Sequence, residues 1–302
     1  MLYLLLASLL WGTTGTAATF LPDDVSPLAT GAATMGVGGV LLLLAGRRAA
    51  AQILRTRSAR RWILVGAAGV VVYPLAFYSS MSAAGVAVGN VVSLGSAPVF
   101  AALLEFAIER TRLTWRWGIA TLLAVGGVAL LGLAGGVERP GGDDAASPGV
   151  GVLLGLLAGL SYAGYTYASR RLLQQGHPSG GVVGAVFGAG AIPLLLLLAF
   201  VGSPLAQSGS SISIALYLAI GPMFVAYLLF GRGLRSVSSS TATTITLLEP
   251  VVATVLAVLV VGEHLDAPAW LGLAAILVGI LLIVAPIRRG SARGRGPTTA
   301  DR

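Results

Sequence analysis

Long apolar runs separated by short polar loops dominate the chain and predict its secondary structure. Ten of these runs are long enough to cross a bilayer, which takes about 20 apolar residues. We expect every run to be a helix, because a helix satisfies its backbone hydrogen bonds within one spanning segment. The predicted spans are 2–20, 27–46, 62–82, 86–107, 115–135, 149–170, 180–201, 212–231, 237–261 and 267–286. The predicted fold class is an all-α integral membrane protein with ten transmembrane helices.

Basic residues in the short loops predict the orientation of the chain. All 19 basic residues are Arg, and placing the N-terminus in the cytoplasm leaves only Arg139 on the outer side. Since basic residues of short loops stay inside, we expect both termini to be cytoplasmic. The net charge of +8 comes from these scattered loop residues, so it does not indicate nucleic-acid binding. The Ala- and Gly-rich, Lys-free composition is typical of a GC-rich bacterial gene, which predicts a multi-pass protein of the bacterial inner membrane.

A connector rich in Gly, Pro and Asp divides the ten spans into five and five. Because five is odd, the second half must enter the membrane from the opposite side. An offset of 152 residues also places Pro98 on Pro250 and Ala97 on Glu249. We therefore predict two inverted repeats of five helices each. The predicted units are a first repeat at 1–136, the connector at 137–148, a second repeat at 149–287 and a basic cytoplasmic tail at 288–302.

Glu249 is an acid near the middle of the ninth span. An acid at that depth costs about 2.5–3.5 kcal/mol on insertion scales, so it is a hypothesis for a functional site. No Arg lies at mid-depth in any predicted span, so the carboxyl must be protonated, hydrogen-bonded, exposed to water or paired with a transient cation. Pro250 has no N–H to donate to the Thr246 carbonyl, which predicts a bent helix with a free carbonyl beside the acid. The alternative is a packing kink with a neutral, internally bonded Glu.

Other polar side chains recur at helical spacing on the fourth and ninth spans, which are repeat partners. Several Tyr residues and Trp11 also lie deep within spans, whereas Trp and Tyr are usually interfacial. These patterns predict a central cavity bordered by helix kinks at Pro98 and Pro250. The candidate substrate-binding residues are Trp11, Tyr73, Asn90, Ser93, Tyr162, Tyr165, Thr246 and Glu249. Packing inside the bundle is the alternative explanation for each of them.

Two acids lie one turn apart at the end of the fourth span. Glu105 and Glu109 are close in sequence to Arg110, Arg112 and Arg116. This pattern favours an ion-pair cluster at the protein surface. An inner gate built from these pairs is the alternative.

Glycines recur every fourth residue in the sixth span, at Gly151, Gly155 and Gly159. Small residues at this spacing form one face of a helix and let a neighbouring backbone come close. We interpret them as a packing surface.

A set of short motifs resembles a known family. The motifs are Trp11-Gly12, the paired Pro98 and Pro250, and Gly262-Glu263-His264-Leu265. The chain resembles the EamA family of the drug/metabolite transporter superfamily over about residues 2–286. The resemblance implies two five-helix units, a central cavity beside Pro98 and Pro250, and export of amino acids or related metabolites. The repeats differ in one respect, because Glu109 follows Pro98 by 11 residues and Glu263 follows Pro250 by 13.

The predicted function is a secondary transporter, an exporter of small metabolites such as amino acids or related compounds, working by alternating access. The alternatives are a membrane-embedded enzyme and a non-transporting scaffold or channel. The chain has no Cys, no His cluster, no Gly-x-Ser-x-Gly elbow and no ATP-binding loop, which argues against catalysis and primary pumping. We expect no catalytic residue, metal or cofactor. The expected partners are a small-molecule substrate and the lipid bilayer, without nucleic acid; the oligomeric state is open and a monomer is compatible with the sequence.

Overall fold

A computed structural model describes residues 1–22, 24–84, 86–134, 148–261 and 267–285, and every regular element in these ranges is helical. The first half contains α1 (Leu2–Ala18), α2 (Pro27–Ala45), α3 (Arg47–Arg55), α4 (Arg60–Ala84), α5 (Val86–Glu109) and α6 (Trp115–Ala134). The second half contains α7 (Pro148–Gln174), α8 (Ser179–Val201), α9 (Gly209–Leu218), α10 (Ala226–Leu234), α11 (Ser239–Ile245), α12 (Leu248–Leu256) and α13 (Ala267–Val284). A π-helical segment, Ala219–Val225, joins α9 to α10, and a second one, Ala257–Val261, follows α12.

Eight helical stretches in the described residues are long and apolar enough to cross a membrane, so the chain is a multi-pass membrane protein. They are Pro27–Ala45, Arg60–Met81, Val88–Glu109, Gly149–Gln174, Ser179–Val201, Gly209–Leu234, Ser239–Val260 and Ala267–Val284. Two shorter apolar helices, Leu2–Ala18 and Trp115–Leu131, occupy the first and fifth predicted spans. Each predicted span therefore has an apolar helix at its place in the chain.

Helix α3 occupies a stretch that the apolar pattern left as a loop between the second and third spans. It is strongly amphipathic, with Ala50 and Ile53 buried and its Arg residues outward. The buried face packs against α8. An apolar run of about 20 residues marks a membrane span, and α3 lacks this signal because it has nine residues and only two buried apolar positions.

The helices pack mainly between the two halves of the chain. Helix α2 packs on α8, α4 and α5 pack on α7, α6 packs on α13, and α1 packs on α10 and α12. On α7, Gly155 approaches Ser80 and Val92, and Gly159 approaches the backbone oxygen of Ser93. The glycine stripe is therefore a packing surface, as the spacing predicts.

One end of the bundle gathers much of the arginine of the described residues. There Arg171 pairs with Glu109 at 3.1 Å, and Arg170 donates to the Leu234 carbonyl at 2.7 Å. The end of α2 at Gly46 packs on Gly180, beside Arg47 and Arg48. We call this the arginine-rich end. At the opposite end, Ser80 donates to the Gly151 carbonyl at 2.7 Å, which joins α4 to α7 across the halves.

Candidate functional site

The helix of the ninth span is broken beside Glu249. Helix α11 ends at Ile245 and α12 begins at Leu248, with a turn between them. Pro250 has no N–H for the Thr246 carbonyl, and the Glu249 N–H donates to that carbonyl instead, at 3.0 Å. The predicted irregularity is confirmed, but the prediction of a free Thr246 carbonyl is wrong. A tighter three-residue turn satisfies the carbonyl and places the acid at the start of a new helix.

The eighth span has its own irregularity at Pro222, inside the π-helical segment Ala219–Val225. Since Pro cannot donate to the preceding turn, the backbone widens there. The Pro222 carbonyl accepts the indole N–H of Trp11 at 2.8 Å. That hydrogen bond holds the Trp11 ring between α1 and the broken eighth span. The sequence signal was the pair Gly221-Pro222 in the middle of an apolar run.

A cavity lies between these two irregular spans and helices α1, α2, α4 and α7. About 600 Å³ between the lining residues is free of protein atoms, a volume that includes the open space at the mouth. The lining residues are Trp11, Thr14, Gly31, Thr34, Met35, Tyr73, Pro74, Phe77, Tyr78, Tyr162, Pro222, Met223, Tyr227 and Glu249. Of the eight candidate binding residues, the structure brings Trp11, Tyr73, Tyr162 and Glu249 together here.

Two further candidates support the cavity wall from behind. The Thr246 hydroxyl and the Tyr162 hydroxyl are hydrogen-bonded at 2.8 Å. The hydroxyls of Tyr165 and Tyr227 form a second pair at the same distance. Thr246 and Tyr165 are themselves buried and are not part of the lining. They orient Tyr162 and Tyr227, which are.

The remaining candidates lie elsewhere on α5, and none of them is part of the lining. Ser93 is fully buried, and its backbone oxygen is close to Gly159 of α7. Asn90 is half-buried, and Pro98 lies inside an unbroken helix. Helix α5 faces α7 and α11, while α4 supplies four lining residues. The roles of Asn90 and Ser93 in binding and of Pro98 as a helix kink at the cavity therefore stay predictions.

The lining residues that the sequence analysis did not choose come mostly from α2, α4 and the eighth span. Tyr78 and Tyr227 belong to the same set of deep Tyr residues that indicated the cavity. Pro74 is a mid-span Pro like Pro98, and it carried the same signal. Thr34 has Thr30 one turn before it, and Thr14 has Trp11 three residues before it, so helical spacing on the first and second spans carried a signal for them as well.

The described cavity wall contains one acidic side chain and no basic one. Glu249 is half-buried, and its side chain is the one carboxyl among the lining residues. No Arg or His is among the lining residues of the described chain. The rest of the wall is aromatic rings, aliphatic groups and hydroxyls. The site can therefore hold a cation or exchange a proton, and it offers no fixed positive charge to an anion.

A second polar constellation closes the arginine-rich end. Glu105, only 5% exposed, accepts the backbone N–H groups of Ser239 and Ser240. The Ser240 hydroxyl also donates to this carboxylate, at 2.6 Å. Ser239 and Ser240 are the first residues of α11, where unpaired N–H groups attract negative charge. Glu105 therefore ties the fourth span to the start of the ninth.

Glu109 is part of the same closure. It accepts from the Tyr167 hydroxyl and pairs with Arg171, both on α7 and both at 3.1 Å. The prediction of a surface ion-pair cluster with Arg110, Arg112 and Arg116 is wrong for both acids. Glu105 is buried and binds a helix start, and the partner of Glu109 comes from the other half of the chain. Here the Arg residues that are close to these acids in sequence point outward, whereas the residues that bind the two acids are distant in sequence.

Fold and site together define a multi-pass helical membrane protein with a cavity between broken helices, which is how membrane transporters build their sites. The model of the EamA-like transporter family matches residues 1–133 and 149–285. The chain belongs to the EamA-like transporter family. Glu263, which the family resemblance places at the end of the ninth span, lies outside the described residues.

Relatives agree with this assignment. A protein of Bacillus subtilis (strain 168) named as the uncharacterized transporter YwfM is 35% identical over 292 residues, which cover 95% of this chain and 94% of that protein. A protein of Streptantibioticus cattleyicolor named as a probable terminal-alkyne amino-acid exporter is 28% identical over 68% of this chain and 66% of its own length. One solved crystal structure has a TM-score of 0.76 at 22% identity and covers 94% of this chain and 95% of its own. At that identity the likeness concerns the fold alone.

Proposed function

We propose that this protein is a secondary transporter that exports small metabolites, such as amino acids or related compounds, by alternating access around the central cavity. The observation that carries the proposal is a lone carboxyl, Glu249, among the lining residues of a cavity beside a broken helix. A packing kink does not need such a cavity. The name of the Streptantibioticus cattleyicolor relative, an amino-acid exporter, supports the substrate class and the direction.

The architecture that we propose has ten spans in two inverted repeats, with the connector at 137–148. Exchange of the halves maps α4 onto the eighth span (α9 and α10), α7 onto α1, and α5 onto the ninth span (α11 and α12). Under that exchange, the contact between α4 and α7 corresponds to the contact between α10 and α1. The contact between α5 and α7 likewise corresponds to the contact between α12 and α1. Both members of each pair are in contact. The contacts of α2 with α8 and of α6 with α13 map onto themselves. This correspondence supports a twofold relation between the halves.

The orientation that we propose places the arginine-rich end in the cytoplasm of a bacterium and the protein in its inner membrane. The distribution of Arg in the short loops supports it. With this orientation, the cavity lies in the periplasmic half, because its residues on α1, α2 and α4 come from the halves of those helices away from the arginine-rich end. Glu105 and Glu109 then close the cytoplasmic side. The arrangement corresponds to an outward-facing state, and alternating access requires those contacts to break in the opposite state.

The test is substrate counterflow in proteoliposomes that contain the purified full-length chain. Liposomes are preloaded with an unlabelled amino acid or amine, and uptake of the labelled compound is followed. We expect transient accumulation that depends on the protein and needs no ATP. Hydrolysis of lipid or peptide substrates without counterflow would favour a membrane-embedded enzyme. Non-saturable flux of many small solutes would favour a channel.

A further inference from the structure

We infer that the cavity selects organic cations: molecules with a primary or substituted ammonium group and a small apolar body, and without an anionic group. This inference rests on the proposed transport function and narrows its cargo. Among compounds related to amino acids, it selects amines whose carboxylate is absent or masked. Three properties of the cavity wall carry it: the charge, the aromatic rings and the hydrogen bonds that the polar atoms already make.

The first property is the charge of the wall. Glu249 provides the one carboxyl of the lining, and the lining contains no Arg or His within the part of the chain that the structure describes. A carboxylate that leaves water for this space would find no cation to pair with, and burial of an unpaired charge is costly. An ammonium group would find Glu249. The wall therefore favours a cation and disfavours an anion or a zwitterion.

The second property is the aromatic surface. Six of the lining side chains are aromatic, and they come from four spans: Trp11, Tyr73, Phe77, Tyr78, Tyr162 and Tyr227. The ring of Tyr165 behind the wall connects Tyr162 with Tyr227. The ring centroids of Tyr73 and Tyr162 are 5.6 Å apart, and those of Trp11 and Tyr227 are 5.0 Å apart. Aromatic faces attract ammonium groups, and cages of such faces are how proteins recognise quaternary ammonium.

The third property is the hydrogen bonding of the wall. The Trp11 indole N–H is bound to the Pro222 carbonyl, and the Tyr162 and Tyr227 hydroxyls are bound to Thr246 and Tyr165. The indole N–H of Trp11 is thus used within the protein, the Tyr162 and Tyr227 hydroxyls already have protein partners, and these hydrogen bonds hold the rings in place. The hydroxyls of Thr14, Tyr73 and Tyr78 make no hydrogen bond within the described residues, so they can orient a polar substituent. Neutral hydroxyls do not replace the bidentate Arg that a buried carboxylate usually requires.

Four ligands with the same phenyl group and different charges test the inference: 2-phenylethylamine, phenylalanine, 3-phenylpropionate and 2-phenylethanol. Their binding to the purified full-length protein is measured by calorimetry and by thermal shift. We expect 2-phenylethylamine to bind about tenfold more tightly than phenylalanine or the neutral alcohol. We expect 3-phenylpropionate not to bind at millimolar concentration. Equal or tighter binding of phenylalanine, equal binding of the alcohol, or no binding of the amine would each overturn the inference.

Two variants separate the carboxyl from the aromatic contribution. Glu249→Gln is expected to lower the affinity for 2-phenylethylamine at least about tenfold and to leave the affinity for 2-phenylethanol unchanged. Tyr73→Leu removes one aromatic ring from the cavity wall and is expected to lose several-fold in affinity for the amine. Unchanged amine binding by Glu249→Gln would contradict the inference. If the amine binds as expected and shows no counterflow in proteoliposomes, the transport proposal fails and the selectivity stands.

Discussion

Glu249 is the residue whose replacement tests the mechanism most directly. Glu249→Gln keeps the shape and most of the hydrogen bonding of the side chain but removes its charge. We expect the variant to insert and fold normally and to lose most transport, or to lose the pH dependence of transport, because the amide takes up no proton and offers no negative charge to an ammonium group. Transport is measured by counterflow over a range of pH, and folding is measured by size-exclusion chromatography.

The matched control for that variant is Glu109→Gln at the arginine-rich end. Its amide oxygen can still accept from Tyr167 and Arg171, and a partly exposed ion pair contributes little to stability. We therefore expect little change in transport. If Glu249→Gln transports like the parent protein at every pH tested, the acid is structural and the kink at Pro250 serves packing alone.

Gly12 lets the first span pack closely against the ninth. A Cβ atom at this position would lie 2.6 Å from Cγ1 of Val252 and 3.0 Å from the Glu249 carbonyl oxygen. Gly12→Ala must push α12 away from α1, and overpacking of this kind costs about 1–3 kcal/mol. We expect a lower thermal unfolding midpoint in detergent. Gly15→Ala is the control on the same helix, since its Cβ would meet no atom within 4 Å; equal midpoints for the two variants would refute the close contact.

At the scale of helices, Glu105 is expected to hold the start of α11 against α5. Hydrogen bonds to a charged group contribute about 1.5–3 kcal/mol each, so Glu105→Ala should open the arginine-rich end. The reporter is a single Cys in place of Thr243, which is 1% exposed and lies one turn beyond Ser239. We expect N-ethylmaleimide to modify this Cys about tenfold faster in Glu105→Ala than in the parent, and at an intermediate rate in Glu105→Gln.

The control for the Glu105 variants is Ser238→Ala. The Ser238 hydroxyl accepts the Thr241 N–H at 3.1 Å and so caps the same helix from within its own half. Loss of this cap costs about 1 kcal/mol of helix stability without removing the contact between α5 and α11. If Ser238→Ala exposes position 243 as strongly as Glu105→Ala does, fraying of α11 explains the faster labelling. The contact of Glu105 with the start of α11 is then not its cause.

At the scale of the whole molecule, the orientation in the membrane is open to a direct measurement. The native chain has no Cys, so single Cys residues report cleanly. Arg57 and Asp24 are both exposed and lie on opposite sides in the proposed topology. We expect an impermeant maleimide to label Asp24→Cys in intact cells and Arg57→Cys only in inverted vesicles. The reverse labelling pattern would show that the protein has the opposite orientation in the membrane, with the cavity on the cytoplasmic side.

The sequence alone determined the helical fold class, the places of the apolar spans and the family. Apolar runs of about 20 residues form few structures other than helices in a bilayer, so these properties can be predicted without any tertiary contact. The same holds for Glu249 and Pro250. An acid and a Pro inside an apolar run stand out wherever the helix packs, and half of the candidate binding residues do line the cavity.

Only the tertiary structure decided which helix faces meet. Helical spacing shows that Asn90 and Ser93 share a face, but it cannot show that neither of them lines the cavity while Pro74 of α4 does. The partners of Glu105 and Glu109 likewise lie far away in sequence, at Ser239 and Arg171. In a membrane both the lipid-facing and the packed surfaces of a helix are apolar. The apolar pattern, which marks the buried side of a helix in water, therefore carries little information about rotation here, and close packing between the two halves supplies it instead.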